Sequence, residues 1–233
     1  MLFRETPFHL WGFSHGVPIL LFVILGAILM LYAKRLSNRI RQKKLLLIIS
    51  FLPFISFCIF FVMQIATGVF SIKNDLPIFI CRFLALSAPI VYWKENRFWT
   101  GVFYFWILAG TLNAVITADL RFDYPHWNYF IYFAMHCGLI LLPIYYCIVL
   151  KHRIRLIDLW NAFWTANIFM IITMVINFSI ESNYMYTREK PLVASVLDHL
   201  GPWPWYIVAV QFIALALFAL LYLPFLKINR STR

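Results

Sequence analysis

Two residues in apolar runs could do chemistry together. Cys81 stands near the start of one run. His136 stands near the middle of another, within Phe133-Ala134-Met135-His136-Cys137-Gly138. A cysteine and a histidine on facing helices can form a nucleophile and base, the imidazole lowering the thiol pKa or taking its proton during attack. Counted at 1.5 Å per residue, Cys81 lies about 6 Å and His136 about 14 Å from the same end of their runs, a gap that helix tilt or a small boundary shift absorbs. The spacing therefore permits the pair. His136 has a plainer alternative, a hydrogen bond to a neighbouring helix. The other cysteines, Cys58, Cys137 and Cys147, also fall in apolar runs. Each reads as a small buried hydrophobe.

More polar groups collect towards the same side. Arg82 follows Cys81 and can hold a lipid phosphate or a carboxylate, although on a helix it points about 100° away from the thiol. Asn113 and Asn177 can orient an imidazole or donate to a developing oxyanion. Thr117, Ser179, Asn167 and Gln211 extend the set, with Asp119, Asn183, Tyr184 and Tyr186 at the rim. Such asymmetry reads as a polar cavity opening outward. The alternative is interhelical polar glue, worth about 0.6 kcal/mol per contact. The last long loop ends in Gly201-Pro202-Trp203-Pro204-Trp205-Tyr206. Trp203 and Trp205 suit an interfacial aromatic belt, or a lipid-facing rim that contacts substrate. There is no Gly-rich phosphate loop, no HExxH and no Gly-x-Ser-x-Gly. The six histidines are scattered and the cysteines lack metal or disulfide spacing, so no metal site is expected.

The elements that must position these groups follow from composition. Of 233 residues, 63% are hydrophobic and 12% charged, with a mean hydropathy of +0.81. A soluble domain is about 45–50% apolar and about 25% charged. One soluble core could not bury so much apolar surface. Soluble globular, disordered and disulfide-scaffold classes are excluded, leaving an integral membrane protein. Seven apolar runs are long enough to be spans: about 17–33, 45–70, 76–93, 99–118, 127–150, 158–180 and 204–226. Short connections make residues 1–233 one all-α transmembrane domain, a bundle of seven helices. The net charge of +11 sorts by loop. Fourteen Lys and Arg lie on one side, six of them between Lys34 and Lys44, and five lie on the other. The positive-inside rule then puts the N-terminus outside and the C-terminus in the cytoplasm. The basic excess is topological, so nucleic acid is not expected as a partner. A basic block, not a cleavage site, follows the first run, which reads as a retained span.

Several stretches carry a resemblance: Leu76-Pro77-Ile78-Phe79-Ile80-Cys81, Gly110-Thr111-Leu112-Asn113, Tyr124-Pro125-His126, His136-Cys137-Gly138, Asn183-Tyr184-Met185-Tyr186 and, most specific, Leu200-Gly201-Pro202-Trp203-Pro204-Trp205-Tyr206. Together they resemble the YwaF-like bacterial membrane proteins. Those are similar to a eukaryotic seven-span protein that transfers polyunsaturated acyl chains onto ether lysophospholipids and, more distantly, to membrane hydrolases of fatty-acid esters of hydroxy fatty acids. The resemblance implies acyl chemistry within a bacterial plasma membrane, with the family's cysteine at Cys81 and its histidine at His136. It also covers His15, to which no role is attached. Arg82 departs from the pattern, which bears on the headgroup.

The expected function is a lipid acyltransferase or ester hydrolase acting near the outer leaflet on membrane phospholipid or lysolipid, with no soluble cofactor. Cys81 would be the nucleophile and His136 the general base. The rival from another class is a seven-span binding, transport or sensor protein, or a structural membrane subunit. Internal repeats, which a transporter would show, are not evident.

Overall fold

The structure, a computed structural model, describes residues 6–191 and 195–230, and side chains only to 226 within the last helix. It is helical throughout, apart from an isolated bridge between Pro7 and Phe122. The long helices are α1 (Phe13–Arg35), α2 (Arg39–Ala66), α3 (Ile80–Lys94), α4 (Arg97–Trp106), α6 (Trp127–Ile148), α7 (Leu156–Ile180) and α8 (Trp205–Arg230). A π-helical turn, Ile107–Thr111, joins α4 to α5 (Leu112–Ile116), so that Arg97–Ile116 forms one continuous rod. Single 3-10 turns at Tyr184–Tyr186 and Val196–His199 shape the last long loop.

Among the described residues six helices are long and apolar enough to cross a membrane: α1, α2, the α4–α5 rod, α6, α7 and α8. The third expected run is the exception. Its helix begins at Ile80, not near residue 76, and has 15 residues. At 1.5 Å per residue it is about 22 Å long, short of a hydrocarbon core of about 30 Å. Leu76–Phe79 are not helical, in keeping with Pro77, which disfavours the α conformation at Leu76 before it.

Side chains at the helix starts fix where each begins. Asn38 Oδ1 accepts from the Ile40 amide at 2.8 Å, Asn96 Oδ1 from Trp99 at 3.2 Å and His126 Nδ1 from Asn128 at 3.2 Å. The buried Asp158 accepts from the Arg155 amide at 2.8 Å at the start of α7. These caps occupy amides that a helix start leaves without partners.

The rod and α6 are the most enclosed elements. Their core joins Phe103, Phe105 and Ile107 to Leu139, Leu142 and Tyr145, with Leu84, Ala85 and Ala88 of α3. In lipid, close packing rather than expulsion of water holds such helices together. Glycine allows the approach at two points. A Cβ at Gly138 would stand 3.1 Å from Leu52, and one at Gly101 would stand 2.8 Å from Cβ of Asp158.

Polar contacts tie the loops at each end of the bundle. At one end Lys43 pairs with Glu95 (2.8 Å), Arg39 donates to the Leu150 carbonyl, and Arg97 bonds Asp158 (2.7 Å). At the other end Ser14 donates to Asp123 (2.7 Å), Tyr184 donates to the Ile72 carbonyl (2.7 Å), and Lys73 pairs with Glu181. Residues 76–95 therefore run from the second end to the first.

Candidate functional site

Cys81 is the second residue of α3 and is half-buried. Its Sγ lies 3.5 Å from Oγ1 of Thr111, the fully buried last residue of the π turn. Such turns carry one residue more than an α-turn and recur at functional sites.

His136 is buried in the middle of α6. Its Nδ1 is 2.8 Å from the carbonyl oxygen of Tyr132, one turn earlier, and the two rings meet at a tilt with centroids 4.1 Å apart. A carbonyl only accepts, so Nδ1 carries the proton and Nε2 the lone pair. Nε2 makes no hydrogen bond among the described residues. Tyr132 in turn donates to the Ala114 carbonyl at 2.6 Å, tying α6 to the rod.

Helix α3 packs against α6. Among the described residues no hydrogen bond joins Cys81 to His136 directly.

Arg82 is held internally. Nη1 donates to the carbonyls of Asn74 (2.6 Å) and Leu76 (3.3 Å), and Nη2 lies 3.9 Å from Asp75. The guanidinium also sits over the rings of Phe60 (4.7 Å) and Phe79 (5.1 Å). Asp75 is buried and accepts from Gln64 Nε2 and the Ser71 amide, each at 2.9 Å. The arginine thus fastens the 71–76 loop to the start of α3.

The two asparagines have different surroundings. Asn177 is fully buried and all of its bonding capacity is used. Nδ2 donates to the Tyr184 carbonyl (2.8 Å) and to Thr187 Oγ1 (2.7 Å), while Oδ1 accepts from Ser182 Oγ (2.7 Å) and the Tyr184 amide (2.8 Å). It organises the 182–187 loop. Asn113 makes no side-chain hydrogen bond among the described residues and lines a cavity of about 400 Å³ between the rod, α7 and α8. Gln211 lines the same cavity; Cys81, His136 and Arg82 do not, although Ile80 and Gly110, beside Cys81 and Thr111, do.

Trp203 donates from Nε1 to the Thr187 carbonyl at 3.1 Å and is half exposed, while Trp205 is more exposed still. His15 is buried, with Nε2 on the Val115 carbonyl (2.8 Å) and Nδ1 accepting from the Trp11 amide (3.2 Å), so both ring nitrogens are engaged. Among the described residues no three His, Cys, Asp or Glu side chains gather as a metal site.

Three positions escaped the sequence reading. Thr111 stands in one of the stretches that carry the resemblance, but nothing there points to its contact with Cys81. Tyr132 is legible as the residue one helical turn before His136. Asp158 joins α4 to α7 through Arg97, which also donates to the Arg153 carbonyl and meets His152 at 2.7 Å. Burial, with the adjacent Arg97, lowers the His152 pKa to about 4. A lone acid at a span boundary amid basic residues was the available signal.

A helical bundle with six membrane-length apolar helices and polar clusters at both ends defines an integral, multi-pass membrane protein. The chain belongs to the TMEM164 family, which matches residues 10–222. Comparison with curated proteins and with solved structures gives no match.

Proposed function

We propose that this protein is a membrane-embedded acyl-transfer enzyme, with Cys81 as nucleophile and His136 as general base. The observation that carries the reading is the 2.8 Å contact of His136 Nδ1 with the Tyr132 carbonyl. Its Nδ1–H is spent on the Tyr132 carbonyl, which leaves the Nε2 lone pair without a partner among the described residues, on a helix that packs against α3. The resemblance at Leu76–Cys81 and His136–Gly138 supports the same two residues.

Nε2 takes the thiol proton, directly or through one water, as Sγ bonds to the carbonyl carbon of a lipid ester. The ester C–O bond breaks, and the departing alcohol receives that proton from His136. A thioester on Cys81 remains. An acceptor hydroxyl then gives its proton to Nε2 and bonds to the acyl carbon, and sulfur leaves and is reprotonated. A lysolipid acceptor makes the protein a transferase, and water makes it a hydrolase. Asn113, Trp203 and Trp205 are the nearer candidates for substrate contact. Asn177 and Arg82 serve it through the loops they hold.

The same reading has seven crossings. Residues 76–95 pass between the two ends of the bundle despite the short α3, and the basic residues crowd one end, which makes that end cytoplasmic. The membrane is a bacterial plasma membrane and the N-terminus lies outside.

The test is reconstitution with acyl-labelled phospholipid. Wild type should release or transfer label and carry a hydroxylamine-sensitive acyl group. Cys81→Ala should lose both. His136→Ala should lose turnover by at least about 100-fold, the lower range for general-base catalysis. Unchanged turnover in both variants, each shown to be folded, sinks the mechanism and favours a binding protein.

A further inference from the structure

The cavity beside Asn113 is a slot along α8. Tyr206 and Phe218 both line it, so it extends about 18 Å along the helix axis at 1.5 Å per residue. Its volume of about 400 Å³, spread over that length, admits one hydrocarbon chain. The walls are apolar, with Trp106 from the rod, Met170 from α7 and Leu217 from α8, and the turns at Met185–Thr187 and Val196–Leu200 border its outer end. The slot is partly open along its length, and if left unfilled its apolar lining forfeits dispersion contacts. The bilayer around α7 and α8 supplies hydrocarbon to fill it.

Two amides interrupt the apolar lining. Asn113 has no side-chain partner among the described residues. Gln211 donates from Nε2 to Met170 Sδ (3.4 Å) and weakly to the Ile207 carbonyl (3.5 Å), while its Oε1 has no partner among the described residues. The other polar groups nearby are engaged: Tyr206 donates to the Tyr186 carbonyl, and Thr187 Oγ1 accepts from Asn177. Amides with unused capacity on an apolar slot, Asn113 exposed along it and Gln211 half-buried, suit a chain that carries a hydrogen-bonding group.

We infer that this slot binds one acyl chain of a membrane ester lipid, with its ester group on Asn113 and Gln211. The slot deepens the acyl-transfer reading and rests on it for turnover but not for binding. Ile80 and Gly110 line the slot one residue from Cys81 and Thr111, so a chain held there passes next to the wall that carries the thiol.

Gly110 offers the test, because a Cβ built on it meets nothing within 4 Å. Gly110→Leu fills the slot without displacing backbone, and Ala214→Phe does so from α8. The probe is a phosphatidylethanolamine with a diazirine in one acyl chain, in phosphatidylethanolamine–phosphatidylglycerol nanodiscs. Wild type should crosslink on α7 and α8 peptides containing Met170 and Val210. Both filling variants should lose at least ten-fold of that labelling at unchanged thermal stability. Asn113→Leu should shift the balance from the ester lipid towards a diazirine alkane. Cys81→Ala should label as wild type does. Equal labelling in both folded filling variants overturns the slot while leaving the catalytic pair standing. Loss of turnover in Cys81→Ala with labelling intact separates the two readings.

Discussion

Replacing Asn177 by Leu tests whether one buried amide holds the whole 182–187 loop. The change keeps the side chain's approximate size and removes four hydrogen bonds of 2.7–2.8 Å. Interhelical polar contacts in membranes average about 0.6 kcal/mol, and hydrogen bonds in soluble proteins about 1 kcal/mol. Four of them give about 2.4–4 kcal/mol against loop opening, or roughly 50- to 1,000-fold in the opening equilibrium. The readout is hydrogen exchange at the Tyr184 amide, which donates to Asn177 Oδ1. The Thr100 amide, bonded to the Asn96 carbonyl at the opposite end, is the control. Exchange at Tyr184 should accelerate by at least about 50-fold while Thr100 is unchanged. Acceleration below about three-fold would refute the reasoning, because the loop would then be held by Tyr184 Oη and Trp203 Nε1 without the amide.

Two further outcomes concern the opposite end of the bundle. Gly101→Ala drives a methyl to 2.8 Å from Asp158 Cβ, and should cost about 1–3 kcal/mol of stability, read by thermal unfolding; the same substitution at Gly110, which has open space, should not. For His152 the folded pKa of about 4 lies below its unfolded value near 6.5. The unfolded chain therefore binds the proton more readily, and the stability this residue contributes is complete above about pH 6.5 and lost as pH falls towards 4. Between pH 7.5 and 5 the wild type should lose more stability than His152→Gln in chemical unfolding; equal slopes would contradict the assignment.

Six of the helices were legible because long apolar runs admit only one solution in lipid: a helix that satisfies its own backbone. The start of α3 was misread by about four residues, since Leu76-Pro77-Ile78-Phe79 is apolar like the helix after it and hydropathy does not register a turn. The π turn was invisible for a related reason. Ile107-Leu108-Ala109-Gly110-Thr111 has the composition of its flanks, and the extra residue is set by packing. Asn113 and Asn177 look alike in sequence, each a lone amide in an apolar run, yet one faces a cavity and the other is saturated. The partners of Asn177 lie within ten residues along the chain, but only the fold of the 182–187 loop turns them towards it. Cys81 and His136 were chosen by residue type and depth. The hydrogen bond that orients the His136 ring is made to a backbone carbonyl, which has no residue code.

The brevity of α3 bears on how it is held. Fifteen residues fall short of the roughly 20 that a helix needs to cross a bilayer on its own. Helix α2, with 28 residues, has no such difficulty. Its Gln64 holds Asp75, which faces Arg82 at one end of α3, while Lys43 meets Glu95 at the other. The pair is thus clasped at both ends, and α2 and α3 form one hairpin. The short helix depends on its longer neighbour for its place in the bundle.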